Sequence, residues 1–306
     1  MKKKIGIFLL AAILLVALSG CAANSSDNAE GDSATSDVQT EISEVTLDAG
    51  VISVYDMGDL KIHAYATGDA LGDECYIIEL SDALVGIEAP SFTQNLDAWK
   101  AYIEELGKPM DDIFICSHAT GASYIEGLTV YGTQGAQDAI KNGSTFETTQ
   151  GLYETFGDDF HGGSDMIQIN KVVPEGSVTV TGVAFKVIDR GDTHDLEIPE
   201  ANSIYTHMLG KTSHSILVSK EQMDAMIASL KDYQTAGYDL ILSAHSAPEG
   251  QDAVTEKIAY LEKAEELTES CSSADEFITA MNEAFPDYTG DNYLEMSAGF
   301  LYPSAQ

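Results

Sequence analysis

Apolar and polar positions alternate with period two at 51–55 and 60–65, around the turn Met57-Gly58-Asp59, which predicts a β-hairpin. Further strand-like runs occupy 74–80 and 83–88, separated by Ser81-Asp82. An amphipathic helix is predicted over 96–106, closed by Gly107, and a short buried strand over 111–117. A strand at 128–132 and a short helix at 134–142 follow. The stretch 146–163, rich in Gly, Asp and aromatics, reads as a loop. Two alternating strands at 177–187 flank Thr181-Gly182. Short strands at 204–206 and 215–218, a helix at 220–236, a buried strand at 238–243 and two helices over 251–285 come next. Strands lead, strand–helix alternation follows, and helices close. That order predicts an α/β fold with two packed sheets and helices outside, an αββα sandwich.

The first 21 residues break this pattern. Lys2, Lys3 and Lys4 precede an apolar run over 5–18, and Leu18-Ser19-Gly20-Cys21 follows. This is the form of an export signal rather than a retained membrane span. Leu-Ser-Gly-Cys resembles the lipobox of bacterial lipoproteins, a family in which the cysteine is acylated and becomes the new N-terminus. The resemblance implies an extracytoplasmic protein anchored to the cell membrane through a lipidated Cys21. Residues 22–47 carry many Ser, Thr, Asp and Glu and no aromatic, so they read as a disordered acidic tether. Residues 48–306 are then one folded domain.

Charge narrows the partners. The formal net charge is -35, and three of the fifteen basic residues belong to the leader. Nucleic acid and anionic lipid surfaces both need a basic patch, so neither fits. Three cysteines remain after the leader. None forms a Cys-x-x-Cys pair, and a disulfide framework is not expected at this size, although one bridge among Cys75, Cys116 and Cys271 stays open. Cys75 and Cys116 sit in strand-like runs and read as buried thiols.

Two histidines stand just past predicted buried strands: His118 after 111–117 and His245 after 238–243. Ligands and catalytic groups of α/β folds commonly occupy such strand ends. Other segments fall in the same order as in a known family. Residues 76–90 resemble its opening strands, with Glu88 where an aspartate is usual. Asp189-Arg190-Gly191-Asp192-Thr193-His194 resembles its Gly-His-Thr-Asp segment. Ile204-Tyr205-Thr206-His207 resembles the strand that delivers a bridging aspartate, and Leu242-Ser243-Ala244-His245 the strand ending in Gly-His. Phe285-Pro286-Asp287-Tyr288 with the run 294–298 resembles the C-terminal helical cap of one of its branches. Taken together, residues 52–305 resemble a metallo-β-lactamase-fold hydrolase.

The resemblance implies metal ligands, but the set is incomplete. An active relative reads His-x-His-x-Asp-His where this chain reads His118, Thr120, Ala122 and Ser123. Alanine cannot ligate, and neutral hydroxyls are poor zinc ligands, so a dinuclear site is not expected. The implied set is His118, Asp192, His207 and His245, enough for one zinc ion at most, with His194 or His214 able to replace a member. If the site is vestigial, no metal binds.

Two function classes follow. One is a mononuclear hydrolase of an ester, lactone or amide. The other is a non-catalytic descendant whose old cleft binds a small molecule or a protein. Weaker candidates have plainer readings. His63 and His161 read as hairpin and loop residues. A nucleophile pair of Ser117 or Ser123 with His118 lacks a Gly-x-Ser-x-Gly elbow. Tyr153, Phe156 and Phe160 either line a pocket or seal their loop to the core.

Overall fold

The computed structural model describes residues 42–121, 124, 127–163 and 166–303. The expected leader at 1–21, the lipidation site Cys21, most of the tether at 22–47, and Ala122 and Ser123 lie outside the described residues.

Two sheets form the centre. The first runs β1 (Ile42–Thr46), β2 (Val51–Asp56), β3 (Lys61–Ala66), β4 (Glu74–Glu79), β5 (Leu84–Ile87), β6 (Met110–Phe114), β7 (Thr129–Gly132) and β8 (Lys171–Val172), in that spatial order. The pairs are antiparallel up to β5 and parallel from β5 to β8. In the second sheet β9 (Gly176–Val180), β10 (Val183–Asp189), β11 (His194–Ile198) and β12 (Ser203–Thr206) pair antiparallel, and β13 (Leu240–Ser243) joins β12 in parallel.

Three apolar clusters define the layers. Ile62, Tyr76, Ile78 and Phe114 of the first sheet meet Phe185, Leu196, Tyr205 and Leu242 of the second. On the outer face of the first sheet, Ile77, Ile113 and Val130 pack with Leu96 and Trp99 of α1 (Thr93–Leu106) and Ile140 of α2 (Gln134–Asn142). On the outer face of the second, Ile204 and Ile241 pack with α4 (Lys220–Ala236), α5 (Gln251–Ser270), α6 (Ala274–Ala284) and α7 (Asp291–Leu301). The layering is the expected αββα sandwich. Each fully buried Leu, Ile or Phe in these layers contributes roughly 1.5–3 kcal/mol. Among the described residues no helix is long and apolar enough to cross a membrane.

Three differences from the sequence reading have local causes. Residues 42–46, expected within the disordered tether, form β1 in register with β2, and Val45 and Leu47 pack against the α1 layer. Residues 144–156, expected as part of a loop, form helix α3 (Ser144–Phe156). Its threonines, Gly151 and Phe146 have poor helix propensity, so tertiary packing decides. Phe156 at its end meets Phe92 edge to face and lies tilted beside Phe160, with ring centroids 5.2 and 6.2 Å away. That cluster seals the segment to the core, as the plainer reading of these aromatics held. Residues 215–218 run without a β-ladder. Leu217 N bonds to Ser297 Oγ of α7 instead, at 2.8 Å.

Candidate metal centre

Three strand ends build the site. β12 and β13 are parallel neighbours, so both chains leave the sheet at the same end. His207 is the first residue after β12, and His245 is the second after β13. The His207 carbonyl accepts Ala244 N at 3.0 Å, which ties the two exits together. Tyr76 of β4 clamps the end of β13: its hydroxyl donates to Ser243 O at 2.6 Å and accepts from Ser243 N at 2.9 Å.

His118 reaches the same place from the other sheet, four residues after β6 ends. Glu88 organises that turn. It is fully buried and adopts φ 57°, a left-handed conformation costly for a side chain with a Cβ. Its Oε1 accepts from Cys116 N (3.1 Å), Ser117 N (2.7 Å), Ser117 Oγ (2.9 Å) and Tyr205 Oη (2.9 Å). Its Oε2 accepts from His118 N at 3.2 Å. A carboxylate with that many donors stays buried at tolerable cost and offsets the backbone strain. Ser117 donates its proton to Glu88 rather than to the His118 ring, so the nucleophile–base pair with His118 is not formed.

The three imidazoles converge. Ring centroids are 5.2 Å apart for His118 and His207, 4.8 Å for His118 and His245, and 5.3 Å for His207 and His245. One nitrogen from each lies within 4.8 Å of the others, the spacing a shared cation needs. His118 Nε2 and His245 Nε2 are 3.2 Å apart. Burial pushes the His207 imidazolium well down, and His118 and His245 add to the effect. Burial likewise lowers His245 to about 4, with His118 helping, while Asp73 and the Leu71 backbone pull the other way. These two rings are therefore neutral at pH 7, the form that offers a lone pair to a metal.

Asp192 is not part of the cluster. It sits exposed in the β10–β11 turn and accepts a 2.6 Å hydrogen bond from Ser144 Oγ at the start of α3. The turn tip packs against α2, where a Cβ on Gly135 would lie 2.0 Å from Gly191 O. That contact holds the tip on the helix layer. His194 is 1% exposed, and neither ring nitrogen has a hydrogen-bond partner. His214 is fully buried beside Tyr260, with Nδ1 3.2 Å from its hydroxyl. Neither replaces a member of the three-histidine set. Thr120 is buried, and its Oγ1 lies 2.8 Å from Ser91 Oγ.

Elsewhere, His63 is 2% exposed and bridges Tyr102 Oη (2.8 Å) and Glu79 Oε2 (2.9 Å). It is a core brace between β3, β4 and α1 rather than a hairpin surface residue. His161 lies 3.0 Å from Thr93 Oγ1, in the loop where it was expected. Cys75, Cys116 and Cys271 are free thiols, and burial pushes Cys75 and Cys116 up. Asp73, which faces His245 Nδ1 at 3.4 Å, and Ser91, which donates to Asp73, carry no motif that sequence reading could have used.

The fold is an αββα sandwich with a three-histidine cluster at the strand ends. No protein-family model matches the chain, and no curated protein does. Among solved structures it is similar to a stereoselective inverting sec-alkylsulfatase from Pseudomonas sp., with a TM-score of 0.53 and 16% identity over 83% of this chain. A double mutant of the same sec-alkylsulfatase gives a TM-score of 0.56 and 13% identity over 82% of this chain. The chain spans 50% of the length of each. A metallo-β-lactamase from Erythrobacter litoralis matches over 72% of this chain and 100% of its own, at 13% identity and a TM-score of 0.47.

Proposed function

We propose that this chain is an extracytoplasmic, membrane-anchored hydrolase that uses a single zinc ion on His118, His207 and His245 to cleave an uncharged ester, lactone or amide. The convergence of three imidazole nitrogens within 4.8 Å carries the reading. The donors fit the ion. Three neutral imidazoles without a thiolate suit zinc, and a three-ligand set keeps one coordination position open. Bound there, zinc supplies Lewis acidity toward a carbonyl and acidifies a water molecule toward neutral pH. The chain's own backbone places the three histidines, through Glu88 on the His118 N–H and the paired β12–β13 exits for the other two. Among the described residues, two positions of the implied ligand pattern are engaged elsewhere: Thr120 is turned to Ser91, and Asp192 bonds Ser144. The lipobox-like leader supports the anchor.

The sulfate esters implied by the name of the alkylsulfatase relatives are a poor match. A sulfate group calls for fixed cations. The chain has no Lys or Arg between 62 and 99 or between 109 and 140, the segments that carry Asp73, Glu88 and His118. Its single arginine, Arg190, is held 2.7 Å from Asp195, and Lys211 Nζ is held 2.6 Å from Asp252.

Metal content of the purified chain tests the reading, alongside His118→Ala. About one zinc per chain, lost in the variant, supports it and directs assays to neutral esters and lactones. No metal after incubation with excess zinc sinks it. The 3.2 Å contact between His118 Nε2 and His245 Nε2 then favours the second reading, a metal-free cleft that binds a small molecule or a protein.

A further inference from the structure

Asp73, immediately before β4, is 1% exposed. Its Oδ2 accepts from Ser91 Oγ at 2.7 Å, and Ser91 Oγ lies 2.8 Å from Thr120 Oγ1. A serine hydroxyl has one proton, and Ser91 gives it to the carboxylate, so Thr120 donates to Ser91. The direction of the chain is fixed: Thr120 to Ser91 to Asp73. Asp73 Oδ1 has no hydrogen-bond partner, nor does His245 Nδ1, which it faces at 3.4 Å. Across the same ring, His245 Nε2 points at His118.

We propose that Asp73, oriented by Ser91 and Thr120, is the positioning residue of the histidine cluster: it keeps the His245 proton on Nδ1 and so leaves Nε2 as the ligand atom. A carboxylate behind a ligating histidine fixes the ring's tautomer and raises its basicity. Here the carboxylate is itself held by the Ser91 hydroxyl, which is backed by the hydroxyl of Thr120, the position that departs from the second histidine of the metallo-β-lactamase pattern. The hydroxyl chain thus ties the missing ligand position to the retained ligand His245. The consequence for metal affinity rests on the zinc reading above; the tautomer does not. The Leu71 backbone also acts on the His245 ring, so the test must separate it from Asp73.

Asp73→Asn makes that separation. It is built in a Thr120→Val background, where Ser91 has no hydroxyl at position 120 to donate to: its proton goes to the amide oxygen, which turns the NH2 toward His245 Nδ1. Nδ1 must then accept, and the proton moves to Nε2. The full chain, labelled with 15N-histidine, treated with EDTA and read by long-range proton–nitrogen correlation, reports the tautomer, with His245→Gln assigning the signal. The expected result is Nδ1–H in the wild type and Nε2–H in Asp73→Asn, with zinc affinity lower by about 10- to 100-fold in the variant. Adding Ser91→Ala to Asp73→Asn frees the amide to rotate and restores Nδ1–H, which also shows that the variants fold. Nδ1–H and wild-type zinc affinity retained in Asp73→Asn would overturn the proposal and give the role to Leu71. A tautomer change in a chain that binds no zinc would leave Asp73 as the positioning residue and remove the metal reading.

Discussion

Replacing His194 with leucine should make the protein resist acid. His194 opens β11 on the face that carries Leu196 and Ile198 into the inter-sheet core. Alternation thus drives an imidazole into an apolar layer, where neither nitrogen finds a partner. Burial lowers it from 6.5 to about 4, against a small opposing pull from Asp189. The sign follows from linkage. Above pH 6.5 the ring is neutral whether the chain is folded or unfolded, and His194 adds no pH dependence. Between 6.5 and about 4 the unfolded chain takes up a proton that the folded one refuses, so stability falls as pH falls. At about 1.4 kcal/mol per pH unit, this loss reaches about 3 kcal/mol by pH 4 and then levels off. His194→Leu removes it. The leucine fills comparable space and also removes a buried group whose missing hydrogen bonds cost roughly 1–3 kcal/mol.

Urea unfolding followed by circular dichroism at pH 7.5, 6, 5 and 4 measures the effect. The variant should be at least as stable as the wild type at pH 7.5, and its advantage should grow by about 3 kcal/mol by pH 4. Other titrating groups act equally on both proteins, so the difference isolates His194. A constant difference across the series would show that the imidazole is solvated or paired in the folded state, and the argument would fail.

Four further outcomes can be checked separately. Asp192→Ala should leave zinc stoichiometry and affinity unchanged, because its carboxylate serves Ser144; loss of metal in that variant would return Asp192 to the site. Glu88→Ala should cost about 3–5 kcal/mol in urea unfolding, because it strands buried donors on Cys116, Ser117, His118 and Tyr205 that share one carboxylate. Glu74, whose carboxyl burial raises to about 7, is stabilising while protonated and loses that contribution as pH rises through 7. Glu74→Gln should therefore match the wild type near pH 4.5 and exceed it by about 3 kcal/mol above pH 8, as read from urea midpoints. His207→Ala should abolish zinc binding as fully as His118→Ala, whereas His214→Ala should lower thermal stability without touching metal content.

The sandwich was legible because burial leaves a period in the chain. A strand covered on both faces, such as β13, reads as a short continuous apolar run, the apolar run 113–115 marks the end of β6, and α1 and α4 read as helical stripes. Those periods place His118 and His245 at strand ends, and topology does the rest by running β12 and β13 in parallel. What stayed illegible depends on contacts distant in sequence. α3 forms against local propensity because Phe92, more than fifty residues earlier, receives Phe156. Asp192 looked like a ligand because ligand patterns are read along the chain, but a side chain at a hairpin tip follows whatever the tip packs against, here α2 and Ser144. Asp73 shows the converse. Nothing in Leu71-Gly72-Asp73-Glu74 marks a functional carboxylate. Its meaning comes from the 3.4 Å that separate it from a histidine 172 positions away (245 minus 73), and from a serine that fixes which of its oxygens remains free. A motif read along the chain is therefore a poor measure of a site: three imidazoles converge from separate strand ends, with the Asp73 carboxylate buried behind His245.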